Sequence, residues 1–146
     1  MNYKDTINTI LDTASKHIYV NEVGSGDVYE FLNSGEHIYP IVFLTVDNVT
    51  KDITNINDNY TLNGYLYYID RLTKDDSNKI EVQSQALTTL FSIFEKLGYD
   101  ISTINATLFT QKFTDMCAGA YTNFSVLLNT IDNENCIDND DFFIKD

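Results

Sequence analysis

The stretch from residue 59 to residue 99 constrains the fold more than any other. It begins Tyr60-Thr61-Leu62-Asn63-Gly64-Tyr65-Leu66-Tyr67-Tyr68-Ile69-Asp70-Arg71-Leu72, dense in aromatic and β-branched side chains, and so reads as a long strand. Alternation along a strand puts Leu66 and Tyr68 on one face and Tyr65, Tyr67 and Ile69 on the other. A polar break, Thr73-Lys74-Asp75-Asp76-Ser77-Asn78, follows. Ile80, Leu87, Leu90, Phe91, Phe94 and Leu97 then recur at helical spacing, with Val82, Ala86 and Ile93 widening the stripe. Asn78 with Glu81 has the form of a capping box, and Gly98 supplies the stop. The spacing predicts a helix over 79–97. One apolar face of the strand can pack on that helix; the other needs the first helix or another subunit.

The remaining elements build around this pair. Asp5 to Ser15 reads as a helix carrying Ile7, Ile10, Leu11 and Ala14 on one face. His17 to Val23 is short and β-prone, and Gly24-Ser25-Gly26-Asp27 is a tight loop. Asp27 and Glu30 can cap a short helix from Val28 to Asn33. Ile41 to Val46, opened by the single proline Pro40, reads as an inner strand, and residues 47–59 as a projecting loop. Ala106 to Phe113 and Ala120 to Leu128 form a hairpin across a turn at Thr114 to Gly119. In its second strand Ala120, Thr122, Phe124, Val126 and Leu128 share one face, opposite Tyr121, Asn123, Ser125 and Leu127. The expected fold is α+β: a mostly antiparallel sheet of about four strands flanked by an N-terminal helix and the helix over 79–97. Residues 1–130 form one domain, and residues 131–146 read as an acidic, extended C-terminal arm. The arm carries Phe142-Phe143-Ile144, an apolar triplet in charged surroundings that suits docking on a neighbour.

The net charge of -13, from 22 acidic against 9 basic residues, repels phosphates and argues against gripping nucleic acid or an anionic membrane. Such a chain suits a passage through which DNA slides without sticking; the same composition is also what an AT-rich genome yields. Ten tyrosines and nine phenylalanines without tryptophan argue against disorder and supply interface surface as well as core. Two cysteines, Cys117 and Cys136, make no disulfide framework. No apolar run is long enough to span a bilayer, and the start of the chain lacks signal-peptide character. These features point to a reducing cytoplasm, or a particle assembled there.

Motifs with chemistry are few. The turn Gly24-Ser25-Gly26-Asp27 precedes a helix but lacks a phosphate-loop pattern, and Asp27 would repel phosphate. His17 and His37 lack partners at ligand spacing and read as surface or interface residues. Cys117 reads as a buried small hydrophobe. Residues 132–138 resemble a calcium loop but miss its turn glycine and closing glutamate. Asp70 and Arg71 read as an ion-pairing edge rather than a catalytic pair. Four Asn-x-Ser/Thr triplets are expected by chance in an Asn-rich chain. No catalytic, cofactor or metal residue is expected. The expected subunit interface is Tyr65, Tyr67, Ile69, Phe142, Phe143 and Ile144.

Tyr65 to Ser84, Val23 to Glu36 before Tyr39-Pro40, and Met116-Cys117-Ala118-Gly119 together resemble small neck and tail proteins of tailed bacteriophages, especially crAss-like phages. The likeness is to tail-completion and tail-terminator proteins and covers roughly two thirds of the chain, the acidic arm least. It implies a curved sheet flanked by helices, assembled as a ring around the DNA channel at the head–tail junction or upper tail, and it transfers no catalytic residue. A ring of roughly six or twelve copies is expected, with a portal-proximal ring or tail tube as neighbour. DNA would pass the bore without specific binding, with no membrane involved, and the bore would be lined by acidic groups such as those of residues 47–59 or the Asp115 turn. The location expected is the virion, assembled in the host cytoplasm. The alternative from a different class is an acidic regulator or inhibitor that mimics DNA and binds a basic protein.

Overall fold

The computed structural model describes residues 2–54, 59–99 and 104–129. In chain order these form α1 (Tyr3–Ser15), β1 (Glu22–Ser25), α2 (Val28–Asn33), β2 (Ile41–Thr50), β3 (Asn59–Arg71), α3 (Lys79–Leu97), β4 (Ala106–Lys112) and β5 (Met116–Asn129). The strands make one open, mixed sheet in the order β1-β2-β3-β5-β4. β1 runs parallel to β2, and every other neighbouring pair is antiparallel. The fold is α+β, as expected, with five strands in place of about four.

The long strand and the long helix lie where the residue pattern puts them. Alternation along β3 buries Leu62, Leu66 and Tyr68 against α1 and α3. On the same inner face β5 contributes Ala118, Ala120, Phe124, Val126 and Leu128, and β2 contributes Val42 and Leu44. The outer face is not left to α1, which packs beside α3 with Ile10 and Ala14 in the inner core. It is α2 that covers part of the outer face, setting Val28 and Leu32 on Ile41, Phe43, Ile69 and Cys117. Ile41 to Leu44 are therefore buried on both faces of the sheet, which is why this stretch is apolar without alternation.

Five local expectations are corrected. The stretch from His17 to Val20 is a turn, closed by the Val20 amide on the His17 carbonyl, and the strand instead covers Glu22 to Ser25. Parallel pairing with Ile41 to Leu44 draws Gly24 and Ser25 into the ladder, overriding glycine's weak strand preference. β2 continues to Thr50 rather than ending at Val46, because a bulge at Asp47 lets pairing resume at Asn48 opposite Asn63. β5 begins at Met116, so the turn expected over Thr114 to Gly119 is shorter. Ile80 and Phe91 are exposed, and the buried stripe of α3 is Val82, Ala86, Thr89, Leu90, Ile93 and Phe94. Asn78 precedes α3 but makes no cap bond. Its side chain clips the preceding loop, with Oδ1 accepting from the Thr73 amide at 2.9 Å and Nδ2 donating to the Arg71 carbonyl at 3.2 Å. The other ends behave as expected: Asp27 Oδ1 accepts from the Glu30 amide at 3.0 Å, and Gly98 turns left-handed at φ 66.

Gly119 sets the β3–β5 contact. It pairs with Ile69, and a Cβ placed on it would collide with the backbone carbonyl of Tyr68. Backbone cannot yield as a flexible side chain does. Gly119→Ala is expected to cost on the order of 3 kcal/mol in chemical denaturation. A loss below ~0.5 kcal/mol would contradict this close approach.

Candidate functional site

The part of the outer sheet face that α2 leaves open is aromatic. Tyr65 and Tyr67 come from β3, Tyr121 from β5 and Phe109 from β4. Register produces the cluster: Tyr67 pairs with Tyr121 across β3 and β5, and Phe109 with Gly119 across β4 and β5. Ring centroids lie 5.4 Å apart for Tyr67 and Tyr121, 5.9 Å for Tyr65 and Tyr121, and 6.4 Å for Tyr67 and Phe109, the last pair nearly edge-on. These are favourable aromatic separations. Tyr29 of α2 and Phe113 of the β4–β5 turn, 5.5 Å apart, form one wall. The result is a groove of about 430 Å³.

Its electrostatics are those of a neutral, partly dry surface. Burial, then the neighbouring phenols of Tyr121, Tyr29 and Tyr65, push the Tyr67 hydroxyl above its ordinary value, so it remains a neutral donor. Beyond Tyr65 the face becomes polar. Asn63 Nδ2 donates to Asn48 Oδ1 at 2.7 Å, and Ser125 Oγ donates to Asn63 Oδ1. The bulge at Asp47 brings Asn48 into this ladder. The groove has π-faces, hydroxyls and apolar walls, features of a recognition surface.

Tyr39, Asp115, Cys117 and Arg71 meet at the opposite end of the β3–β5 pair. Tyr39 Oη donates to Asp115 Oδ2 at 3.2 Å, Arg71 lies 3.7 Å from the same carboxylate, and the guanidinium sits 5.2 Å from the Tyr39 ring centre. The Cys117 thiol faces the Tyr39 hydroxyl, and burial pushes it up to about 11. That is opposite to what a nucleophile needs, so this cluster ties the β4–β5 turn to β3. The buried, apolar role expected for Cys117 is the observed one. Asp115 is engaged here, not directed freely into solvent.

His37 departs from its expected surface or interface role. Its side chain is largely enclosed, with Nδ1 2.8 Å from a Glu22 carboxylate oxygen and Nε2 2.7 Å from the Phe31 carbonyl oxygen. It fastens the segment after α2 to β1. His17 remains near the surface, its Nδ1 accepting from the Tyr19 amide. Among the described residues no group of three or more His, Cys, Asp or Glu is placed to hold a metal ion, and no helix is long and apolar enough to cross a membrane.

Of the expected interface residues, Tyr65 and Tyr67 line the groove. Ile69 shares their side of β3 but is fully buried beneath α2, inside the subunit. Phe142, Phe143 and Ile144, like the calcium-loop pattern over 132–138, lie outside the described residues. Tyr29, Phe109, Phe113 and Tyr121 were not anticipated as site residues. The outward direction of Tyr121 follows from alternation, but its meeting with Tyr67 needs the β3–β5 register. No family model matches this chain, and no curated protein matches it.

Asp70 supplies a pH test of the β3 terminus. Burial raises its carboxyl above the ordinary 3.8, against the lowering effect of the Arg71 amide and charge. A raised folded value contributes stability below the ordinary value, and that contribution is lost as pH rises through the folded value. Asp70→Asn keeps an acceptor for the Arg71 amide, now bonded to Oδ1 at 2.8 Å. The variant is expected to melt higher than the parent at neutral pH. The gap should close as pH falls below 3.8. Melting curves across this range check it; a parent more stable than the variant at neutral pH would contradict the sign.

Proposed function

We propose that this chain is a virion structural protein, a subunit of an oligomeric ring around the DNA channel at the head–tail junction or upper tail of a tailed bacteriophage. The observation that carries the assembly reading is the aromatic groove on the outer sheet face, beside an edge strand with an open side among the described residues. Tyrosine and phenylalanine concentrated on one concave surface are the side chains that dominate interface energetics, combining large area with few rotamers to freeze. The phage setting rests on the resemblance of Tyr65 to Ser84, Val23 to Glu36 and Met116 to Gly119 to neck and tail proteins, and a tail-terminator-like curvature of the sheet belongs to the same reading.

The net charge of -13 fits a bore that DNA crosses without sticking, since acidic walls keep a hydrated, counterion-filled gap beside phosphate. Asp115 pairs with Arg71 and accepts from Tyr39, which offsets part of the negative charge of the β4–β5 turn.

Self-association tests the reading. Sedimentation velocity of the full chain is expected to show a discrete oligomer that grows in with concentration. Tyr121→Glu, which puts a charge into the groove floor, is expected to weaken that oligomer by about tenfold or more while leaving the protein folded. A chain that stays monomeric at every concentration and instead captures a basic protein would overturn the ring and support the DNA-mimic class.

A further inference from the structure

β4 is an unusual edge. Its pairing with β5 is continuous from Ala106 to Lys112, without a bulge, and it contains no proline and a single lysine at its end. Edge strands are ordinarily guarded by such features. β4 also presents apolar side chains on both faces. Phe109 faces the aromatic groove, while Leu108, paired with Ala120 on the inner side, is 49% exposed. A strand added here would meet apolar surface on its two sides at once.

The chain contains a segment with that character. Phe142-Phe143-Ile144 places three apolar residues in succession, so an extended backbone sends them to both faces. Such a triplet is wasted on a one-sided surface. Residues 130–141 separate it from β5 and span up to roughly 40 Å when extended. β5 itself runs on for seven residues past Thr122, the partner of Ala106, and β4 is antiparallel to it, so a chain turning back from Asn129 onto its own β4 would reach Ala106 first and run parallel to that strand. Antiparallel addition therefore favours the edge of an adjacent copy.

We propose that residues 141–145 of a second copy add to β4 as an antiparallel strand, a deepening that rests on the assembly reading above. With Phe143 opposite Leu108, Phe142 falls opposite Phe109 and Ile144 opposite Thr107, both over the groove. The same register carries Asp140 and Asp141 toward the Lys112 end of β4, where the charges are complementary. Parallel addition would carry them to the opposite end, away from that lysine.

Directed cross-linking in the full chain tests it. Subunits carrying Leu108→Cys and Cys136→Ser are mixed with subunits carrying Phe143→Cys and Cys136→Ser, under mild oxidation. The expected product on a non-reducing gel is the mixed disulfide dimer, in excess over either like pair. Phe143→Asp in the otherwise unaltered chain is expected to weaken self-association by about tenfold or more in sedimentation. A parent that assembles while Phe143→Asp assembles equally well overturns the strand addition and leaves the ring reading standing. Formation of the mixed disulfide together with a parent that sediments as nothing larger than a dimer supports the strand addition and overturns the ring. A triple variant, Leu108→Cys with Phe143→Cys and Cys136→Ser, that links only within one chain shows the segment folding back on its own edge and overturns the exchange between copies.

Discussion

The pairing of β3 with β5 is the constraint on which the rest of the molecule depends. It runs unbroken from Asn59 opposite Asn129 to Arg71 opposite Cys117. Gly119 lies within it, at a point where a side chain would strike the Tyr68 carbonyl. Because the two strands are locked over this length, alternation fixes both faces together. Leu62, Leu66 and Tyr68 pair with Val126, Thr122 and Ala120 beneath α3, while Tyr67 pairs with Tyr121 outside, next to Tyr65. A slip by one residue would turn the tyrosines inward and the leucines outward. The core and the candidate site are thus two sides of one register.

The outer face is divided unequally. α2 is only long enough to cover the end of the sheet where Ile41, Phe43, Ile69 and Cys117 lie. Past it the sheet is aromatic, and past the aromatics it becomes a ladder of Asn48, Asn63 and Ser125. The polar ladder satisfies itself and suits water. The aromatic groove gains most from exclusion of water, because apolar area removed from solvent is the main non-directional source of association energy. On β4 the exposed Leu108 extends this apolar character around the edge to the inner side.

Much of this was legible in the residues. The 60–72 strand and the 79–97 helix carried period-2 and 3.6-residue signals strong enough to place both within a residue or two. The burial of alternate residues from Ala120 to Leu128 was equally plain. What failed depended on partners distant in sequence. Gly24 and Ser25 became strand only because β2 lies alongside them. Asn78 abandoned a cap for the Thr73 amide and Arg71 carbonyl, bonds made by how the chain enters α3. The groove was half legible: Tyr65 and Tyr67 were singled out, but Tyr121 and Phe109 join them only through strand order. Ile69 shared the expected face, yet the position of α2, which no periodicity encodes, placed it inside.

If the aromatic face and the β4 edge are surfaces of assembly, amide hydrogen exchange should differ between dilute and concentrated protein, because edge amides exchange freely until a partner strand bonds them. Exchange in Thr107 to Gln111 is expected to slow on association, while β3, already paired on both sides, changes little. Association that leaves exchange along β4 unchanged and protects β1 or the exposed face of α3 would contradict this expectation.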